Sequence, residues 1–206
     1  CTVTLHDVNG ITFKRCWFKG GNYFSLRGYG STKDVVLEDC DFGQHGSGNV
    51  VQSAHIKNLD GTNYFRSCFF YNSADGIKLY DGSINYIEDC WVQSLHLPGG
   101  HTDCMQANNG NRVEFYAIRS TFENRTWTFN GQLAQSQEEL NAQNIKKNNI
   151  QSWGNATVQT KPCGNGGCSG PLPGVYYSFE DCILTGGNYI ITAADQNGQF
   201  LDNIII

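Results

Sequence analysis

The chain has 206 residues, enough for one large domain with a core, and its 39% hydrophobic content argues against disorder. With 24 Gly, 13% aromatic and only 16% charged residues, the composition suits many short strands and turns and excludes a helix bundle. A net charge of −5 without any basic run excludes a general nucleic-acid binder. No apolar stretch reaches the roughly 20 residues that a membrane span requires.

Along the chain a short segment recurs in which alternate residues are apolar and a polar residue precedes Cys, any residue and one more apolar side chain. Its clearest copies are residues 11–18 with Cys16, 35–42 with Cys40, 63–70 with Cys68 and 85–92 with Cys90. Weaker copies are 115–122 with Ser120 in the Cys place, 143–150 with Asn148, and 177–184 with Cys182. Before each copy stands a second element, commonly Asn or Asp followed by alternating apolar residues. These units begin at positions 1, 22, 49, 75, 103, 130, 155 and 188, with spacings from 21 to 33 residues. A period in the twenties, built from strand, turn, strand, a kink at Asp or Ser and another strand, is the signature of a parallel β-helix. Leucine-rich repeats share the period but need a Leu ladder, where this chain repeats Phe, Ile and Cys.

The pattern resembles the right-handed parallel β-helix of the pectate-lyase-like superfamily, and the resemblance covers nearly the whole chain. It implies an all-β, single-stranded right-handed solenoid of about eight coils, one domain over residues 1–206. At the usual strand separation of about 4.8 Å, the rod is roughly 35 to 40 Å long. Inserted loops are expected near 130–142 and 160–174. In the first, Ser136 and Glu139 form a capping-box pattern that predicts a short helical turn. The start at Cys1 and the apolar end at Ile204, Ile205 and Ile206 read as cuts through a longer helix that continues into further coils.

Cys16, Cys40, Cys68, Cys90 and Cys182 share one repeating inward place and read as an unpaired ladder of small apolar side chains. Stacked neighbours would also lie within disulfide reach, which leaves some pairing open. Cys163 and Cys168, in a Gly-rich loop, read as a local disulfide, which implies an oxidising compartment. Asn124 and Asn155 open N-glycosylation acceptor triplets.

Alternation turns Ile77 and Leu79 inward and Lys78 outward. Stacking the units puts Gln52, Lys78 and Gln106 in one exposed column, with Asp75 and Asp103 on the same face. The loops before these strands add His45, His96 and His101. Asp or Asn at the head of a strand can equally be a turn-former that bonds local backbone, and an exposed Lys can simply be solvated. Asp75 and Asp103 stand out because they alone in the column are acidic and occupy neighbouring coils.

The resemblance implies a secreted or cell-surface protein that acts on a polysaccharide. The leading expectation is β-elimination on an acidic, uronate-containing polymer. Lys78 or His101 would be the base, with Asp103 beside them, and Asp75 and Asp103 would hold Ca²⁺. Gln52, Gln106, His96 and His45 would bind substrate. A glycoside hydrolase would instead use Asp75 and Asp103 as its acid and base pair. His101-Thr-Asp103-Cys104 is similar to the Asn-Thr-Asp-Gly motif of polygalacturonases at its two central residues only. The rival from another class is a non-enzymatic rod, a glycan-binding or structural segment of a larger surface, fibre or tailspike protein. Exposed aromatics such as Trp17, Trp91, Tyr23, Tyr29, Trp127 and Trp153 would then stack on sugar rings.

Overall fold

The computed structural model describes residues 2–18, 24–43, 54–57, 59–73, 75–79, 82–96, 103–107, 113–126, 156–159, 175–186, 189–192 and 198–205. These form 21 strands that fall into seven successive triples. The first two triples are β1 (Val3–His6), β2 (Asn9–Lys14) and β3 (Trp17–Phe18), then β4 (Phe24–Tyr29), β5 (Lys33–Glu38) and β6 (Asp41–Phe42). Next come β7 (Ala54–Lys57), β8 (Gly61–Arg66) and β9 (Phe69–Ser73), then β10 (Asp75–Leu79), β11 (Ser83–Glu88) and β12 (Trp91–His96). The last three are β13 (Met105–Ala107), β14 (Val113–Ile118) and β15 (Thr121–Thr126); β16 (Ala156–Gln159), β17 (Val175–Glu180) and β18 (Ile183–Gly186); β19 (Tyr189–Thr192), β20 (Gly198–Leu201) and β21 (Ile204–Ile205).

Like members of successive triples pair in parallel, giving three seven-stranded sheets. Sheet A runs β1-β4-β7-β10-β13-β16-β19, sheet B β2-β5-β8-β11-β14-β17-β20, and sheet C β3-β6-β9-β12-β15-β18-β21. The protein is therefore all-β and solenoid-like, each triple one rung. Eight units were expected, and the one beginning at Asn130 lies outside the described residues. On either side of it β13 pairs directly with β16 and β14 with β17, so no rung stands between them. The helical turn at 136–142, the loop at 160–174 and the Cys163–Cys168 bridge also lie outside the described residues.

Alternation drives the core. Phe18, Phe42, Phe70, Val92, Phe122 and Leu184 stack inward on sheet C, all buried. The first three rings lie nearly parallel, with centroids 4.4 Å and then 4.7 Å apart. Leu37, Phe65, Ile87, Ala117 and Phe179 line the inner side of sheet B, and Leu26, Ile56, Ile77 and Met105 that of sheet A. Burying one such side chain contributes about 1.5–3 kcal/mol, so each ladder is a large share of the stability.

The kink between sheets B and C is a column of left-handed residues: Arg15, Asp39, Ser67, Asp89, Arg119, Asp181 and Asp202, with φ between 47° and 55°. Asp tolerates this region better than most side chains. The next residue closes the turn. Cys16, Cys40, Cys68, Cys90 and Cys182 each donate Sγ–H to the carbonyl two residues back, and Ser120 does so through Oγ. These five thiols form no disulfide among the described residues, nor does Cys104, which belongs to another column; all six are free. The ladder is thus a hydrogen-bonding device as well as a filler. It also explains why Ser120 and Asn203 can stand in it: Ser120 Oγ accepts the Cys90 N–H at 3.0 Å, and Asn203 Oδ1 accepts that of Cys182 at 2.9 Å.

Candidate functional site

The outward column of sheet A carries the strongest concentration of cations in register. Arg27 pairs with Lys57, Lys57 with Lys78, and Lys78 with Gln106, whose partner in turn is Gln159. Three neighbouring rungs therefore present one cation each, about 4.8 Å apart, followed by an amide. Each cation is braced. The Arg27 guanidinium lies 4.0 Å from the Tyr29 ring centroid and 5.2 Å from that of Phe24, and the Lys57 ammonium lies 4.8 Å from the same Phe24. Cation–π contact of this kind orders a long side chain without removing its charge.

Lys78 is braced by a carboxylate instead: its Nζ lies 2.6 Å from Asp75 Oδ2. The other oxygen, Asp75 Oδ1, accepts the Asp103 backbone N–H at 2.9 Å. Asp75 thus ties its own strand to the next rung, as a turn-forming Asn would. Asp75 and Asp103 are 1% and 0% exposed, and Gln106 is 5% exposed. This corrects the expectation of an open acidic strip: with one oxygen on backbone and one on ammonium, the Asp75 carboxylate faces protein. Asp75 Oδ2 lies against the Lys78 ammonium, which Ca²⁺ would have to displace, and the described residues hold no group of three or more His, Cys, Asp or Glu suited to a metal. A retaining pair of carboxylates would need access to a glycosidic bond, and in this structure both Asp are buried.

The expected column also shifts. Gln52 was expected beside Lys78, but Ala54 is the partner of Asp75 and Lys57 that of Lys78. The leading Asn49 misaligned its rung, whereas the units of Asp75 and Asp103 keep the expected register, with Lys78 against Gln106. The true repeat is an apolar residue followed by a cation: Leu26-Arg27, Ile56-Lys57 and Ile77-Lys78. That signal was present in the sequence and would have found Arg27 and Lys57. Gln52, His45 and His101 lie outside the described residues. His96 ends β12 on sheet C, and only its backbone is described.

Just inside this face, Ser25, His55, Gly76 and Cys104 occupy successive rungs. His55 is fully buried; its Nδ1 lies 3.1 Å from Ser25 Oγ, and its Nε2 lies 2.9 Å from the Tyr71 carbonyl oxygen. Nε2–H donates to that carbonyl, so Nδ1 accepts the Ser25 hydroxyl. With Ser25 only 1% exposed, the pair is a structural link between sheets A and C. Burial pushes the Cys104 thiol up to about 12, which keeps it protonated and inert. Asn124, expected as a glycosylation acceptor, is 5% exposed and faces protein in the folded chain.

The chain matches no family model, no curated protein and no solved structure.

Proposed function

We propose that this chain is part of a right-handed parallel β-helix of the pectate-lyase-like kind that engages an acidic, uronate-containing polysaccharide outside the cell, along the outward face of sheet A. The observation that carries this reading is the column of Arg27 and Lys57, one cation on each of two neighbouring rungs, continued by Lys78 in its pair with Asp75, on a chain whose net charge is −5. A polymer bearing one carboxylate per sugar can lie along such a column and meet several cations at once, and the contacts reinforce one another. Gln106 extends the column with an amide able to bond hydroxyls.

The same column favours a second reading, β-elimination, since neutralising the uronate carboxylate is the first requirement for removing the adjacent proton. Lys78, paired with Asp75, suits that neutralising role better than the role of base. The base would then fall to His101.

The test is affinity electrophoresis through gels containing polygalacturonate or alginate, over a series of salt concentrations. The double variant Arg27→Gln/Lys57→Gln should weaken binding by about tenfold or more, at about 1.4 kcal/mol per tenfold, and should flatten the salt dependence. Retardation unchanged by the double variant would overturn the sheet A reading. Ultraviolet absorbance of unsaturated products, followed with and without added Ca²⁺, separates lyase from binding protein: growing absorbance that His101→Ala abolishes supports elimination, and a flat trace across the panel leaves a binding rod.

A further inference from the structure

Sheet C presents a second outward surface of opposite character. Its outer column reads Trp17, Asp41, Phe69 and Trp91 over four consecutive rungs. Trp17 is 63% exposed and Trp91 40% exposed. Phe69 stacks on Trp91 at 4.7 Å and on Tyr71 at 4.6 Å, with interplanar angles of 23° and 26°. Gly43 joins Trp17 to this stack: a Cβ there would lie 2.8 Å from Tyr71 Oη and 3.2 Å from Trp17 Nε1. Both polar ends of these rings therefore come close over the bare glycine, and Tyr71, Phe69 and Trp91 continue from there as one stack.

A carboxylate edges that surface. Trp91 Nε1–H donates to Glu123 Oε2 at 3.2 Å, and Gln93 Nε2 donates to the same oxygen at 3.4 Å. The indole is thereby locked in orientation. Flat rings with a fixed carboxylate and amide at their rim suit a pyranose, whose C–H face is apolar and whose edge carries paired hydroxyls. Asp41 and Glu123 make the surface acidic, so a polyanion is repelled there.

We propose that this face of sheet C is a binding site for a neutral hexose polymer, separate from the acidic-glycan face of sheet A. Trp17 and Trp91 are the stacking platforms. They stand three rungs apart, roughly 14 Å, which asks for an oligosaccharide rather than a monosaccharide.

The experiment is isothermal titration of the protein with cellohexaose and mannohexaose, with hexagalacturonate as the charged control. At least one neutral hexasaccharide should bind. Trp17→Ala should weaken that binding by about fivefold or more while leaving hexagalacturonate affinity unchanged. Because Trp17 is so exposed, the variant should keep its fold, which circular dichroism checks. Glu123→Gln preserves shape and an acceptor oxygen and serves as the second variant: it should weaken neutral-sugar binding while Arg27→Gln/Lys57→Gln does not. Failure of both neutral hexasaccharides to bind, or binding unaffected by Trp17→Ala and Glu123→Gln, would overturn the proposal. So would self-association of the wild-type protein that Trp17→Ala abolishes in the absence of sugar, because the face would then be an interface between copies. The sheet A reading stands or falls separately, on the charged control.

Discussion

Asp75 holds Lys78 with one carboxylate oxygen and the backbone of Asp103 with the other, so a single side chain fixes both a cation on the face of sheet A and the seat of the next rung. The pair is nearly out of water, at 13% exposure for Lys78 and 1% for Asp75. Lys78→Met should cost about 3 kcal/mol, because it leaves a buried carboxylate without its ammonium. Asp75→Asn/Lys78→Met should recover most of that loss, since the Asn carbonyl still accepts the Asp103 N–H. Urea denaturation of the two single variants and the double variant measures the coupling.

Ser120 offers a cleaner test of the thiol column. Its Oγ accepts from Cys90 and lies 2.9 Å from the Ile118 carbonyl oxygen. Ser120→Ala should destabilise by about 1–3 kcal/mol by leaving the Cys90 N–H buried without an acceptor. Ser120→Cys should stay within about 1 kcal/mol of the parent, because sulfur already does this work in the neighbouring rungs. Thermal melting of both variants decides the matter.

Glycines in this fold are not equivalent. A Cβ on Gly76 would meet the Cys104 carbonyl oxygen at 2.3 Å and Val92 Cγ1 at 2.4 Å, both fixed parts of the core. Gly76→Ala should therefore cost about 3 kcal/mol through backbone displacement. Gly82, at φ +78° with open space around it, should lose only about 1 kcal/mol as Ala, from conformation alone. Chemical denaturation of the two variants side by side tests the difference.

Alkaline pH should weaken the fold through the thiols. Burial pushes Cys40 up to about 11 and Cys104 up to about 12, and the bond with Cys90 together with burial pushes Cys68 up as well. An acid whose folded pKa is raised stabilises the protein fully below its unfolded value, near 9.0, and that stabilisation is lost as pH rises toward the folded value. Melting temperature should accordingly fall between about pH 9 and 11. A thiol reagent such as Ellman's should titrate these cysteines only in denaturant.

The rungs were legible in the sequence because alternation and the Cys place repeat in every copy, and a buried ladder demands like residues at like positions. The kink at Asp or Ser was legible for the same reason, while Arg15 and Arg119 entered that column without the usual chemistry of left-handed residues. Registration of sheet A was legible from the leading Asp of the Asp75 and Asp103 rungs but not from the leading Asn49. Such residues cap loops of varying length, whereas the apolar–cation pair sits within the strand and counts rungs correctly. Burial of Asp75 and Asp103 was hidden as well, since it depends on a bond between rungs that no spacing along the chain records. The carboxylate of Glu123 went unnoticed because its partners, Trp91 and Gln93, belong to the preceding rung.

The thiol column also has a direction. In it the side chains of Cys40, Cys68, Cys90, Ser120 and Asn203 also reach a carbonyl of the rung before, as Cys90 does that of Phe65, while backbone protons go toward the rung after, as that of Cys68 does to Cys90 Sγ. None of these bonds between rungs reverses the order. The solenoid is therefore a polar object with unlike head and tail. Another copy, or another stretch of the same architecture, would extend it only by meeting tail to head, a heterologous contact that builds filaments, whereas a two-fold encounter would set like groups against each other.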